Sequence, residues 1–141
     1  MTILSCINAE DKALPGYYIF KGKRALLNYL SQCKEGATMS MQGKAWMTMQ
    51  LFSAWLEHFK QVVPGGVSPE HRHLLILDGH GSHTAIELVE KARSWGIDIV
   101  TLPSHTSHRL QPLDVSIFKP FKTHFKKERA LWRLRNPNSP V

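Results

Sequence analysis

The chain has 141 residues, 43% of them apolar, enough for one domain with a core and too few for two independent ones. Its two cysteines, Cys6 and Cys33, exclude a disulfide framework and a thiolate zinc site; no run is long enough to span a bilayer, and Met1–Ser5 lacks the charged start and apolar stretch of a signal peptide, so a soluble intracellular protein is expected. The formal charge of +7 is uneven: from Arg109 to Arg135 eight basic residues stand against two acidic ones, the pattern of a phosphate-binding segment or of a solvated helix face.

In chain order, Thr2–Asn8 is rich in strand formers, Glu10, Asp11 and Lys12 supply a polar turn, and Tyr17–Phe20 reads as a second strand, so a hairpin is expected. Residues 25–43 show no sustained period and are read as a long surface excursion. From Thr48, Leu51, Phe52, Trp55, Leu56, Phe59, Val62 and Val63 fall three and four apart, predicting an amphipathic helix stopped by Pro64-Gly65-Gly66. Leu74–Leu77 is continuously apolar, as in a parallel strand covered on both faces. A helix capped by Ser82 follows, with Ala85, Ile86, Val89 and Ala92 on one face and Gly96 as terminator, and Ile97–Leu102 gives the next strand of a parallel crossover. Ile117, Phe118, Phe121 and Phe125 mark a last helix, which tolerates Pro120 only in its first turn or at a kink. Residues 136–141 read as a frayed tail.

Two aspartates end apolar runs before helical stretches, Asp78 and Asp114, with 35 residues between them. Asp78 falls where α/β sheets open toward ligands, and paired carboxylates are hard oxygen donors for magnesium; alternatively each accepts backbone hydrogen bonds in a turn or a helix's first turn. His80 with His83 and His105 with His108 form two pairs that could converge on zinc, although three-residue spacing in loops is weakly specific. Trp132, close to Arg129, Arg133 and Arg135, could stack on bases; packing is its expected role.

The run Leu74-Leu75-Ile76-Leu77-Asp78-Gly79-His80-Gly81-Ser82-His83, the run from Leu102-Pro103 to Leu110-Gln111-Pro112-Leu113-Asp114, and Phe118-Lys119-Pro120-Phe121-Lys122 resemble the DDE superfamily endonuclease domain of pogo and Tigger type transposases. The likeness extends back through Ala45-Trp46-Met47-Thr48 and Tyr17–Gly22. It implies an α/β, ribonuclease H-like mixed sheet flanked by helices, and DNA strand cleavage and transfer by two magnesium or manganese ions on three carboxylates. By that resemblance Asp78 and Asp114 are catalytic metal ligands, His83 is a catalytic neighbour of Asp78, and Arg109, Lys119, Lys122, Lys126 and Lys127 contact nucleic acid. The family's first aspartate lies on a central strand preceding the one read at Thr2, so the chain is expected to lack that strand; Glu10 and Asp11, in a hairpin turn, are poor substitutes.

The expected domain is therefore a partial catalytic domain over residues 1–135 with a disordered tail over 136–141. Expected partners are DNA, and a second copy or another strand at exposed sheet edges. No membrane is involved, and the expected location is nuclear. The alternative is a decayed or domesticated transposase fragment that binds nucleic acid without turnover.

Overall fold

A computed structural model describes residues 1–25, 28–78, 85–103 and 106–137, the side chains of Ser107 and His108 excepted. The chain divides into two compact units, Met1–Thr101 and Leu102–Val141.

In the first unit, β1 (Thr2–Leu4) runs antiparallel to β2 (Tyr17–Lys21), with Thr2 opposite Ile19 and Leu4 opposite Tyr17. The expected hairpin is present, with a shorter first strand. The Asn8 side chain accepts from the backbone N–H groups of Glu10 and Lys12, and this local turn ends the pairing beyond an Ile7–Ala13 bridge. Along β2 the alternation is clean: Tyr17 and Ile19 are buried, whereas Tyr18 and Phe20 face the other side, where Phe20 meets Tyr29 at 4.6 Å between rings.

The expectation of a surface excursion over residues 25–43 is corrected by β3 (Thr38–Gln42), which lies parallel to β2 from Tyr17–Thr38 to Lys21–Gln42. Its Thr-Met-Ser-Met-Gln sequence alternates only two methionines with polar residues, too short an apolar side to mark a strand, and every position is half-buried. Backbone pairing with β2 and the Tyr17 Oη–Ser40 Oγ hydrogen bond of 2.6 Å hold it, and neither shows as periodicity.

Helix α1 (Met49–Val62) begins at Thr48, whose hydroxyl accepts from the Leu51 N–H, and buries Phe52, Trp55, Leu56 and Phe59 as its spacing predicts. His58 is buried with them and, among the described residues, its Nε2 has no hydrogen-bond partner. An unsatisfied buried nitrogen costs free energy, so His58→Leu is expected to stabilise the fold by about 1 kcal/mol. Urea unfolding checks this; a lowered midpoint would show that the ring's packing against Tyr17, 5.7 Å away, outweighs the orphaned nitrogen.

β4 (His73–Leu77) and β5 (Ile97–Thr101) pair in parallel, from His73–Ile97 to Leu77–Thr101, joined through α2 (Ile86–Ser94). Leu75 and Ile97 enter the same core as α1, and Leu77 and Ile99 pack against it. Leu74, Ile76 and Val100 are 64%, 55% and 48% exposed, so the expected burial of β4 on both faces is corrected to one. A continuous apolar run does not say how many faces are covered.

The predicted face of α2 also shifts. The helix starts after Ala85, and Ala85, Leu88 and Ala92 meet the core while Ile86 is 74% exposed. Ser82, expected as the cap, lies outside the described residues. Trp95 closes α2 under Lys60 of α1, whose ammonium sits 3.9 Å from the ring centroid.

At the start of β4, Arg72 holds Asp98 with two hydrogen bonds of 2.9 and 2.7 Å, which keep that carboxyl below its ordinary range. The pair's contribution is present above the unfolded aspartate range and lost as pH falls through the depressed value. Both cysteines are free thiols, and burial pushes Cys6 up to about 11, leaving it protonated and unreactive at neutral pH.

The described strands form a three-stranded sheet in the order β1-β2-β3 and a separate β4–β5 pair. This mixed α/β arrangement is compatible with a ribonuclease H-like fold lacking some of its strands. No helix among the described residues is long and apolar enough to cross a membrane.

The second unit contains a one-turn helix α3 (Ser107–Leu110), a π-helical turn (Leu113–Ile117) and α4 (Phe118–Arg135). Pro120 is the third residue of α4, in the first turn as its missing N–H requires. Of the expected tail, residues 138–141 lie outside the described residues.

Candidate functional site

Asp78 is fixed by β4. The strand's last ladder pair is Leu77 with Thr101, and Asp78 follows directly, half-buried, at the carboxyl end shared by both parallel strands. Sheets of this kind present ligand-binding groups there, because the chain turns away from the ladder and leaves a carboxylate at the rim of the core. Gly79, His80, Gly81, Ser82, His83 and Thr84 lie outside the described residues, and the expected role of His83 with them.

Asp114 belongs to the second unit. Pro112, with φ −56° and ψ −37°, starts the π-helical turn without needing an N–H, and the backbone N–H groups of Asp114 and Val115 both donate to the Gln111 carbonyl at 3.1 Å. The Phe118 N–H reaches back to the Leu113 carbonyl, and Ser116 Oγ donates to the Pro112 carbonyl at 2.7 Å. Such wide turns inside helices are frequent at functional positions. The Asp114 carboxylate is exposed and, among the described residues, takes part in no side-chain hydrogen bond or ion pair. It is an acid of the π-helical turn that precedes α4, whose own first turn has none.

Of the zinc alternative, His80, His83 and His105 lie outside the described residues, as does the His108 side chain. Among the described residues no three metal-binding side chains gather.

The expected nucleic-acid residues fall on the second unit, all exposed: Arg109 at the end of α3, and Lys119, Lys122, Lys126 and Lys127 on α4. At roughly 100° per residue, Lys119, Lys122 and Lys126 share one narrow stripe with Arg129 and Arg133, and Lys127 points about a third of a turn away. Helical spacing thus groups Arg129 and Arg133 with the expected nucleic-acid residues. Glu128 is the one acidic residue of α4.

Beside this stripe runs an aromatic one. Phe121 and Phe125 stack at 6.1 Å and 18°, and with Trp132 they are 43–47% exposed. Trp132 is therefore not the packing residue expected of it: α4 buries none of its side chains.

The DDE superfamily endonuclease family matches the chain over residues 1–141. Among curated proteins, the chain is 33% identical over 132 residues to a Cochliobolus lunatus protein named MFS-type transporter clz9, covering 91% of this chain and 14% of that protein. It is 29% and 28% identical over 136 residues to the human and mouse proteins named Pogo transposable element with KRAB domain, covering 95% of this chain and 21% of each. The chain thus spans between about a seventh and a fifth of the length of these relatives. No solved structure matches it significantly.

Proposed function

The chain belongs to the DDE superfamily endonuclease family, and from that membership we propose that it is a transposase-derived domain acting on DNA strands with magnesium or manganese ions. The observation that carries this reading is Asp78, directly beyond the last pair of a parallel β4–β5 ladder, in a chain matched by the family along its whole length. Asp78 and Asp114 are two of the metal-binding carboxylates, and His83 positions phosphate or water beside Asp78. The donor chemistry fits the metal: carboxylate oxygens are hard ligands, and magnesium needs only one or two of them because it keeps several waters. When bound, two such ions supply an activated water and neutralise charge at the leaving 3′ oxygen.

The chain's own residues do the rest. Arg109 and the α4 stripe hold the DNA backbone by charge, so the position of the scissile phosphate is set by contacts outside the metal centre. Residues 1–135 form part of a catalytic domain, with 136–141 as a tail; DNA as the substrate gives a nuclear location, and the outer edges of β1 and β4 are positions where a second copy or another strand can pair.

Manganese binding followed by electron paramagnetic resonance, together with plasmid nicking, tests the metal assignment. Asp78→Asn and Asp114→Asn are each expected to weaken manganese binding by roughly tenfold or more, since even outer residues of a metal site contribute 10- to 100-fold, and to abolish any nicking by the unsubstituted chain. Manganese affinity unchanged in both variants would refute the assignment.

A second reading, DNA binding without turnover, is favoured by one observation: the exposed cations of α4 line up in a stripe that holds a DNA backbone by charge without any metal. Salt-sensitive DNA binding with no nicking in either metal selects it.

A further inference from the structure

We infer that the aromatic groove of α4 holds unpaired nucleotides, so that the DNA taken by this unit is single-stranded or carries unstacked bases. The inference rests on the DNA-binding reading above and adds the form of the nucleic acid. Phe125, Glu128, Arg129, Trp132 and Arg135 line a shallow concavity of about 300 Å³ along one face of the helix, and Phe121 extends it by stacking on Phe125. Exposed aromatic faces offer nothing to a duplex, whose bases already stack on each other. They offer a platform to a base that has left the stack, and the planar guanidinium groups of Arg129 and Arg135 add to it.

Charge separates the two parts of a nucleotide across this helix. Lys122, Lys126 and Arg133 lie on the neighbouring stripe and attract phosphate, whereas the groove holds the Glu128 carboxylate beside Arg129 and Arg135, which partly offsets their attraction for an acidic group. A neutral base needs no such attraction, and the N3–H of thymine or the exocyclic amine of another base gives the Glu128 carboxylate a donor. The aromatic rings of the groove therefore suit a base, with the backbone alongside on the more strongly cationic stripe.

Binding of the full chain to an oligo-dT strand, to a blunt-ended two-strand duplex of equal length and to poly-glutamate, with Trp132→Ala and Trp132→Phe compared, tests this. Trp132→Ala is expected to weaken oligo-dT binding roughly tenfold and to leave duplex binding within about twofold, while Trp132→Phe retains most of the oligo-dT affinity. Equal losses on both DNA forms, or no loss on either, would overturn the base-stacking inference and leave DNA binding intact. Poly-glutamate binding as tight as oligo-dT would overturn it in favour of charge alone. No binding to either DNA form at low salt would overturn the DNA reading and this inference together.

Discussion

Glutamine at Lys119, Lys122 and Lys126 together is expected to flatten the dependence of log DNA affinity on log salt by about 3, because each phosphate contact releases close to one counterion. At about 0.1 M salt that corresponds to a loss of a few hundredfold. Glutamine has nearly the helix propensity of lysine, so α4 itself should persist, as circular dichroism can verify. The single variant Lys127→Gln is the internal control. It removes the same charge from the same helix about a third of a turn away, and should alter the slope by less than any one stripe residue does. An unchanged slope in the triple variant would mean that the stripe is only a solvated face, and a Lys127 effect as large as a third of the triple would mean that net charge rather than geometry governs binding.

Gly96→Ala is expected to destabilise the first unit by on the order of 3 kcal/mol. Gly96 ends α2 at φ +95°, donates its N–H to the Arg93 carbonyl at 3.0 Å, and accepts from the His73 N–H at 2.8 Å where β4 begins. A side chain there would adopt a conformation unfavourable for any L residue and drive its Cβ into the Ser68 carbonyl. Gly66→Ala separates the two costs. Gly66 has φ +71° with nothing near its missing Cβ, so only the conformational part remains, about 1 kcal/mol. Guanidinium unfolding followed by tryptophan fluorescence reads both; equal losses would show that the overlap with Ser68 relaxes freely.

The position of Gly96 also illustrates what could be read in advance. A glycine after an amphipathic run marks a helix end, and it does here. That it must also clear the Ser68 carbonyl is a contact between segments distant in sequence. Helix α1 was legible throughout, since Thr48 caps it, Phe52, Trp55, Leu56 and Phe59 repeat at helical spacing, and Pro64 with two glycines stops it. β3 was not, because its apolar side is only Met39 and Met41, without β-branched or aromatic residues, and its order comes from pairing with β2. At the candidate site, Asp78 was legible as the residue that ends an apolar strand, and the basic character of α4 as a run of charges. The grouping of Arg129 and Arg133 with the lysines needed the helix to be laid out, and the exposure of Trp132 needed its surroundings.

The sequence alone determined most of the local elements, the position of Asp78 at a strand end, the cationic last helix and the family, because periodicity, turn residues and motif spacing are local properties of the chain. Only the tertiary structure decided that β3 joins β2, that β4 is covered on one face, that α2 turns Leu88 and Ala92 inward, and that the aromatic stripe of α4 stays exposed. Pairing and burial depend on which distant surfaces meet, and an apolar residue has the same hydrophobicity whether or not another surface comes to cover it.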